Sequence, residues 1–217
     1  MRARFLAAVL ATLATSAAAR SHHQHSEENG GHFDYYLMSL SWSPSYCEAH
    51  PGDREQCGHK GFGFVLHGLW PQNRDGSWPQ HCVNGVEPDS ATVERTLAFM
   101  PSRRLIEHEW QTHGSCTGLD PGTYFGMADR AFGSVKIPDP LKTPAAAPSM
   151  SSDQIIDAFA AANPGLDQRM MTVQCHDGNE LAEVRICLDR DSLAPRACGG
   201  RMRNACRIGE LRIPTER

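Results

Sequence analysis

No CxxC pair occurs anywhere in the 217 residues, which removes the ligand spacing typical of small zinc sites and of thioredoxin-like redox motifs. HExxH is missing too. The one dense histidine cluster reads HEWQTH, His108 to His113, so its two imidazoles stand five positions apart. At roughly 100° per residue they would point about 140° away from each other on a helix, a poor grip on one metal ion. The chain also has no apolar stretch near the roughly 20 residues that a membrane span requires; its longest runs from Phe5 to Leu13. Positive charge is short. Against 21 Lys and Arg stand 25 Asp and Glu, a formal net charge of −4, the wrong balance for a protein that holds long nucleic acid by releasing counterions. Internal repeats are absent, which excludes a solenoid or a propeller.

What is present begins with a leader. Arg2 and Arg4 precede the apolar run, and small residues close it at Ala17-Ala18-Ala19. That is the layout of a secretory signal peptide over 1–19, with cleavage expected before Arg20. The expectation is an exported protein, periplasmic or extracellular, with no membrane attachment once the leader is removed. What remains has the usual size of one domain. It is more acidic still, because the leader holds two arginines and no acid. Any positive site must therefore be small, and partly built from histidines that charge as pH falls. Residues 20–32 are polar and histidine-rich and read as a flexible tail, whose His22, His23, His25 and His32 make an adventitious metal trap at most. All eight cysteines follow the leader, at 47, 57, 82, 116, 175, 187, 198 and 206. An even number in an exported chain reads as four disulfides, in a connectivity that counting alone leaves open.

Residues 33–42, FDYYLMSLSW, are aromatic and apolar enough for a strand that Pro44 stops. A second strand, FGFVLHGLW at 62–70, has Pro71 as its terminator, which sets His67 near a strand end where a side chain can face a cleft. A helix is predicted from Asp89 or Ser90 to Phe99, another over 103–113 stopping at Gly114, and a third over 122–132. The prolines of 137–148 make that stretch a connecting loop. Ser151 with Gln154 offers a capping box for an amphipathic helix that Asn163-Pro164-Gly165 ends. Two β segments follow, at 171–175 and 181–189, joined by the turn His176-Asp177-Gly178-Asn179. Strands, then helices, then strands again predict an α+β fold, a single disulfide-stabilised domain over 33–217 with helices packed on a central, mainly antiparallel sheet.

Two short blocks carry the chemistry. FVLHGLWPQ, 64–72, supplies His67 and Trp70, and LIEHEWQTHGSC, 105–116, supplies His108, Glu109, Thr112 and His113 and ends on a cysteine that can anchor them. Glu109 and His113 are four apart and share a helical face, with His108 at its flank. One imidazole from the helix and one from the strand can approach a phosphate from two sides. One takes a proton and the other gives one near neutral pH, while a carboxylate and a third imidazole meet the charge that grows on the phosphate. These are the parts for cutting RNA by internal transphosphorylation, in which a base removes the 2′-hydroxyl proton and an acid protonates the departing 5′-oxygen. No metal or other cofactor is required. Singly, each residue has a plainer reading: His67 as a satisfied structural histidine, Glu109 with His113 as a solvated helical pair, Trp70 as core. The combination in this context favours a site. His50, His59, His81 and His176 receive no role.

The two blocks resemble the active-site segments of the ribonuclease T2 family, secreted endoribonucleases. The similarity extends through MSLSWSPSYC at 38–47 and EVRICLD at 183–189, and covers most of the chain from about 34 to 206. The resemblance implies action on single-stranded RNA and none on DNA, which lacks the 2′-hydroxyl; a monomer is expected. It implies His67 and His113 as the acid and base pair, Glu109 as the carboxylate beside the phosphate, His108 as a phosphate-binding histidine and Trp70 as an aromatic that holds a base by stacking. The implied products are a 2′,3′-cyclic phosphate and, after slower hydrolysis, a 3′-phosphate. The family's cystine pattern implies Cys47 with Cys57, Cys82 with Cys116, Cys175 with Cys206 and Cys187 with Cys198.

One position departs from the family. Many members have lysine just before the second catalytic histidine, where this chain has Thr112, which offers a hydrogen bond and no charge. Turnover below that of a lysine variant is expected, or compensation by an arginine such as Arg103 or Arg104. Gln72 stands where some relatives have a base-reading carboxylate, which leaves base preference open. Two rival classes stay in view: a non-catalytic secreted RNA-binding or toxin-like module of the same fold, disfavoured by the intact His67, Glu109 and His113, and a zinc hydrolase, disfavoured by the histidine spacing.

Overall fold

A computed structural model describes residues 30–82, 85–146, 148–176, 178–199 and 202–215. The expected leader and most of the expected tail lie outside the described residues, as does Asp177 of the predicted turn. The last tail residues are described, and there the Gly31 N–H donates to the Cys116 carbonyl at 2.9 Å. The elements in chain order are β1 (Tyr35–Trp42), α1 (Ser43–Ala49), β2 (Phe64–Gln72), α2 (Ser90–Thr96), α3 (Arg103–Thr112), α4 (Pro121–Gly133), β3 (Met150–Ser151), α5 (Ser152–Ala162), β4 (Met171–His176), β5 (Glu180–Asp189) and β6 (Glu210–Leu211). Four strands form an antiparallel sheet in the order β2-β1-β5-β4, and β3 pairs with β6 in a separate ribbon. The fold is α+β, as the order of elements in the sequence predicts.

Side-chain alternation along β1 divides the sheet into two faces. Tyr36, Met38, Leu40 and Trp42 enter the main core, whereas Tyr35 and Leu37 line the other face with Cys187, the period-two split of a strand. The main core closes against the helices through Ile106 and Trp110 of α3, Tyr124 and Phe125 of α4 and Phe159 of α5, all buried. The second face stays partly open, and it is where the charged residues of β5 project.

Two prolines act differently from expectation. Pro44 sits in the first turn of α1, a helix that the strand pattern did not predict; proline is preorganised for that position and has no N–H to leave unpaired there. Pro71 does not end β2, which continues to Gln72. Among the described residues β2 pairs only with β1, and an edge strand tolerates a residue that cannot donate outward. His67 therefore lies mid-strand rather than near its end. Ser39 pairs with Gly68 and Leu40 with Leu66, so His67 is the extra residue of a bulge, a device that bends a strand and re-aims one side chain.

The helices start on the residues that cap them. Asp89 accepts from the Thr92 N–H, Ser102 from Leu105 and Asp120 from Thr123, and Ser151 with Gln154 forms the expected capping box. α2 stops at Thr96 instead of Phe99. α3 stops before Gly114, where a Cβ would meet the Trp110 ring at 2.6 Å and the Tyr124 ring at 2.9 Å. The proline-rich 137–148 stretch is a connection holding two short 3-10 turns, Asp139–Leu141 and Pro144–Ala146. All four cystines pair as the resemblance implied, which leaves no thiolate for zinc. Among the described residues no helix is long and apolar enough to cross a membrane.

Candidate active site

β5 is an interior strand, so a charge in its middle needs a partner. Glu183 and Arg185, two apart and hence on one face, partner each other: Arg185 Nε and Nη2 lie 2.7 Å and 2.6 Å from Glu183 Oε2. The other carboxylate oxygen, Oε1, lies 2.5 Å from His67 Nδ1. From the neighbouring edge strand, the bulge at His67 and the close backbone at Gly68 bring Trp70 and α3 together. A Cβ on residue 68 would collide with the Glu109 carboxylate and with Trp70 Nε1. In the space that glycine leaves, Trp70 Nε1 donates to Glu109 Oε2 at 2.6 Å. Glu109 Oε1 stands 3.6 Å from His67 Nε2, and the Arg185 guanidinium packs over the Trp70 ring, 5.1 Å from its centroid. His67, Glu183, Arg185, Trp70 and Glu109 thus form a closed ring of contacts.

His113 completes the group from the helix side. It is the residue capping the C-terminus of α3, with its N–H on the Glu109 carbonyl at 3.0 Å. Its ring lies 5.3 Å from the Trp70 ring by centroids, and the His67 ring lies 5.2 Å from the same indole. Its Nδ1 is buried with no partner, so Nε2 is the nitrogen left for a ligand. A cavity of about 560 Å³ opens beside it, lined by Trp70, Gln72, Trp78, His113 and Arg185 among others.

The structure therefore brings His67, Trp70, Glu109 and His113 into one cluster. His108 sits at the flank, its Nδ1 3.5 Å from the Thr112 hydroxyl, and lines a separate cleft with Arg104. Thr112 is buried, and its carbonyl accepts from the His81 N–H at 2.8 Å. With the Cys82–Cys116 cystine, that bond straps the loop after β2 to the end of α3. Arg103 is engaged on the surface with Glu94 and Glu55. The arginine against Trp70 is Arg185, and neither it nor Glu183 was singled out from sequence. Their signal was legible: two opposite charges at i and i+2 within a run that is otherwise apolar from Leu181 to Leu188.

Proton affinities diverge across the cluster. Burial pushes the Glu109 carboxyl up to about 7, against the opposing pull of His67 and the Trp70 N–H. Burial also opposes the Glu183 charge, but the hydrogen bond with His67 and the charges of His67 and Arg185 outweigh it and bring Glu183 down to about 2. For His67 burial disfavours the cation; the Glu183 bond and the facing charge of Glu109 overcome that and raise its pKa. His113 has no such partner. Burial, with His108, His67 and His81 nearby, lowers it to about 3. His108 is lowered by burial and by His67, His81 and Arg104. Among the described residues no three His, Cys, Asp or Glu side chains converge so as to hold a metal ion.

Two imidazoles of opposite proton affinity, flanking one indole and backed by two buried carboxylates, can give and take a proton across a single gap. On a four-cystine α+β domain, that arrangement suits acid–base chemistry at a phosphate. Residues 33–198 match the model of the Ribonuclease T2 family. A ribonuclease of Aeromonas hydrophila is 35% identical over 178 residues, 79% of this chain and 79% of that one. Ribonuclease DdI of Dictyostelium discoideum is 27% identical over 98% of this chain and 99% of its own. The fold is similar to that of RNase NT in complex with 5′-AMP, with a TM-score of 0.69 at 23% identity, covering 85% of this chain and 99% of that chain. The chain belongs to the ribonuclease T2 family and is by class an endoribonuclease.

Proposed function

We propose that this protein is an exported, metal-independent endoribonuclease that cleaves single-stranded RNA by transphosphorylation. His113, kept neutral by its surroundings, takes the proton of the 2′-hydroxyl, and the freed oxygen attacks phosphorus. His67, kept protonated by Glu183, gives its Nε2 proton to the 5′-oxygen as the P–O5′ bond breaks. The product ends in a 2′,3′-cyclic phosphate. In the slower second step the roles reverse: neutral His67 activates water, His113 protonates the 2′-oxygen, and a 3′-phosphate results.

The opposite environments of the two imidazoles on either side of Trp70 carry this reading. They also favour His113 as the base and His67 as the acid, a choice that spacing alone leaves open. Glu109, uncharged up to about pH 7, meets the phosphate as a hydrogen-bonding group rather than as a second anion. His108 at the flank adds positive charge as pH falls, and a base enters the cavity walled by Trp70, Gln72 and Trp78 and stacks on the indole. DNA is not a substrate, because it has no 2′-hydroxyl to attack. The protein acts as a monomer, with its cystines suited to an oxidising compartment.

The test is digestion of a defined RNA oligomer in excess EDTA, with the termini read by mass spectrometry. Cyclic-phosphate ends that convert to 3′-phosphates are expected, and a matched DNA oligomer should stay intact. Loss of activity with chelator, or equal cleavage of DNA, would overturn the mechanism. Absence of cleavage with retained RNA binding would favour the non-catalytic module.

A further inference from the structure

We infer that Glu183, clamped by Arg185, is a positioning residue for the leaving-group proton: it holds His67 with Nε2 facing the scissile phosphate and keeps that nitrogen loaded. The inference rests on the proposed acid role of His67. Imidazole has two nitrogens, and one proton donor facing the phosphate requires the other nitrogen to be fixed. Glu183 Oε1, 2.5 Å from Nδ1, fixes it. Glu183 has little freedom of its own, since it projects from an interior strand and Arg185 grips its second oxygen through two nitrogens. Arg185 in turn lies over the Trp70 ring, 5.1 Å from its centroid, and Trp70 also donates to Glu109. The acid is thereby locked to the base-binding wall through strand β5 and not only through the helix.

The charges that face His67 come from three sides. β5 contributes Glu183 and Arg185, and α3 contributes Glu109, with His108 and His113 close by. On the outer side, the cavity lined by His67 also holds Glu48, His50, His176, Glu180 and Arg212. Of these only Glu183 touches Nδ1, so removing its charge should act on His67 in a way that removing the others does not.

The experiment compares Glu183→Gln, Arg185→Gln and His67→Ala on two substrates, a dinucleotide with a poor alkoxide leaving group and a uridine 3′-aryl phosphate whose leaving group needs no proton. Glu183→Gln should lower kcat on the dinucleotide by at least about tenfold with KM little changed, as expected when an imidazole loses its orienting carboxylate. It should lose far less on the aryl ester. It should also move the alkaline limb of the dinucleotide pH profile to lower pH. Arg185→Gln removes a cation that opposes the His67 charge, so it should move that limb to higher pH. The Arg185→Gln shift tests the idea even if Glu183→Gln folds poorly. Equal losses on both substrates, or limbs that stay put, overturn the positioning role. His67→Ala separates this failure from failure of the acid assignment, because it must spare the aryl ester whether or not Glu183 matters. If it does not, the acid role itself is wrong.

Discussion

The sheet half and the helix half of the site each contribute one imidazole, and they tune it by different physics. On the sheet, His67 is a third exposed and sits among charges, with Glu183 supplied by a strand 116 residues away. At the helix end, His113 caps its own helix beside Trp70 and near other imidazoles, with a buried ring nitrogen that has no partner. Ion pairing raises the proton affinity of one, and burial without such a partner lowers that of the other. In the proposed mechanism a pair of identical side chains divides into an acid and a base because only one of them has a counter-charge on its ring.

Breaking either half should show the asymmetry. His67→Ala and His113→Ala should each lower kcat/KM on RNA by about a hundredfold or more, but only His67→Ala should be rescued by a good leaving group. The pH profile gives the same contrast. His113 must be neutral, which holds above about 3, and His67 must be protonated, which holds below its raised pKa. Activity should therefore be high from mildly acid to about neutral pH and fall on the alkaline side. A kcat/KM that still climbs between pH 7 and 9 would show that the two environments have been assigned the wrong way round.

Next in size is the strap on the helix half. Replacing Cys82 and Cys116 together by alanine should cost on the order of 2 to 5 kcal/mol of stability, measured by urea unfolding. It should also reduce activity by loosening the end of α3, where the His81–Thr112 and Trp110–Val86 bonds would remain. The sheet half should be indifferent, since His67 is held by strand pairing and Glu183. Unchanged stability and activity in the double variant would show that the cystine does not hold the site.

The same asymmetry decided what could be read from sequence. His108, Glu109 and His113 lie within six residues, and their relation follows from one helix. The cap residues Asp89, Ser102 and Ser151 set helix starts for equally local reasons. The two ends of the Glu183–His67 contact are joined only by strand order, and the sequence carries no mark of which strand lies between which. Nor does it mark the bulge at His67, the edge position that lets Pro71 stay inside β2, or the two-residue pairing of β3 with β6. Gly68 looked like part of a motif; its reason is the Glu109 carboxylate that fills the place of its missing side chain. Local chemistry was legible, whereas the contacts that tune it depend on tertiary register.

Glu109 joins the two halves, and its substitution should trade activity for stability. Its pKa is raised in the folded protein from an ordinary 4.5 to about 7, so folding is favoured while it is protonated. That contribution is present below the unfolded value and is lost as pH rises through the folded one. Glu109→Gln keeps an acceptor for the Trp70 N–H and cannot ionise. It should match the parent's stability near pH 4.5 and exceed it above pH 7 by on the order of 1 to 3 kcal/mol, while cutting turnover. Thermal unfolding across pH reads this directly, and a variant less stable at pH 8 would mean that the buried carboxylate is better compensated than its surroundings indicate.

The smallest effect is expected at Thr112, where relatives often carry lysine. The threonine is buried and turned toward His108 rather than toward Trp70, and the arginine that packs on the indole is Arg185, already committed to Glu183. On the helix half, Arg104 shares a separate cleft with His108. Thr112→Lys should raise the rate of cyclisation by a few-fold, about 1 kcal/mol or less in barrier, because the ammonium must leave a buried position to reach the phosphate. The gain should persist in Arg185→Gln and be larger there if the two cations substitute for each other. If lysine leaves single-turnover cyclisation unchanged in both backgrounds, positive charge is not what this site lacks, and the sheet half alone supplies what the phosphate needs.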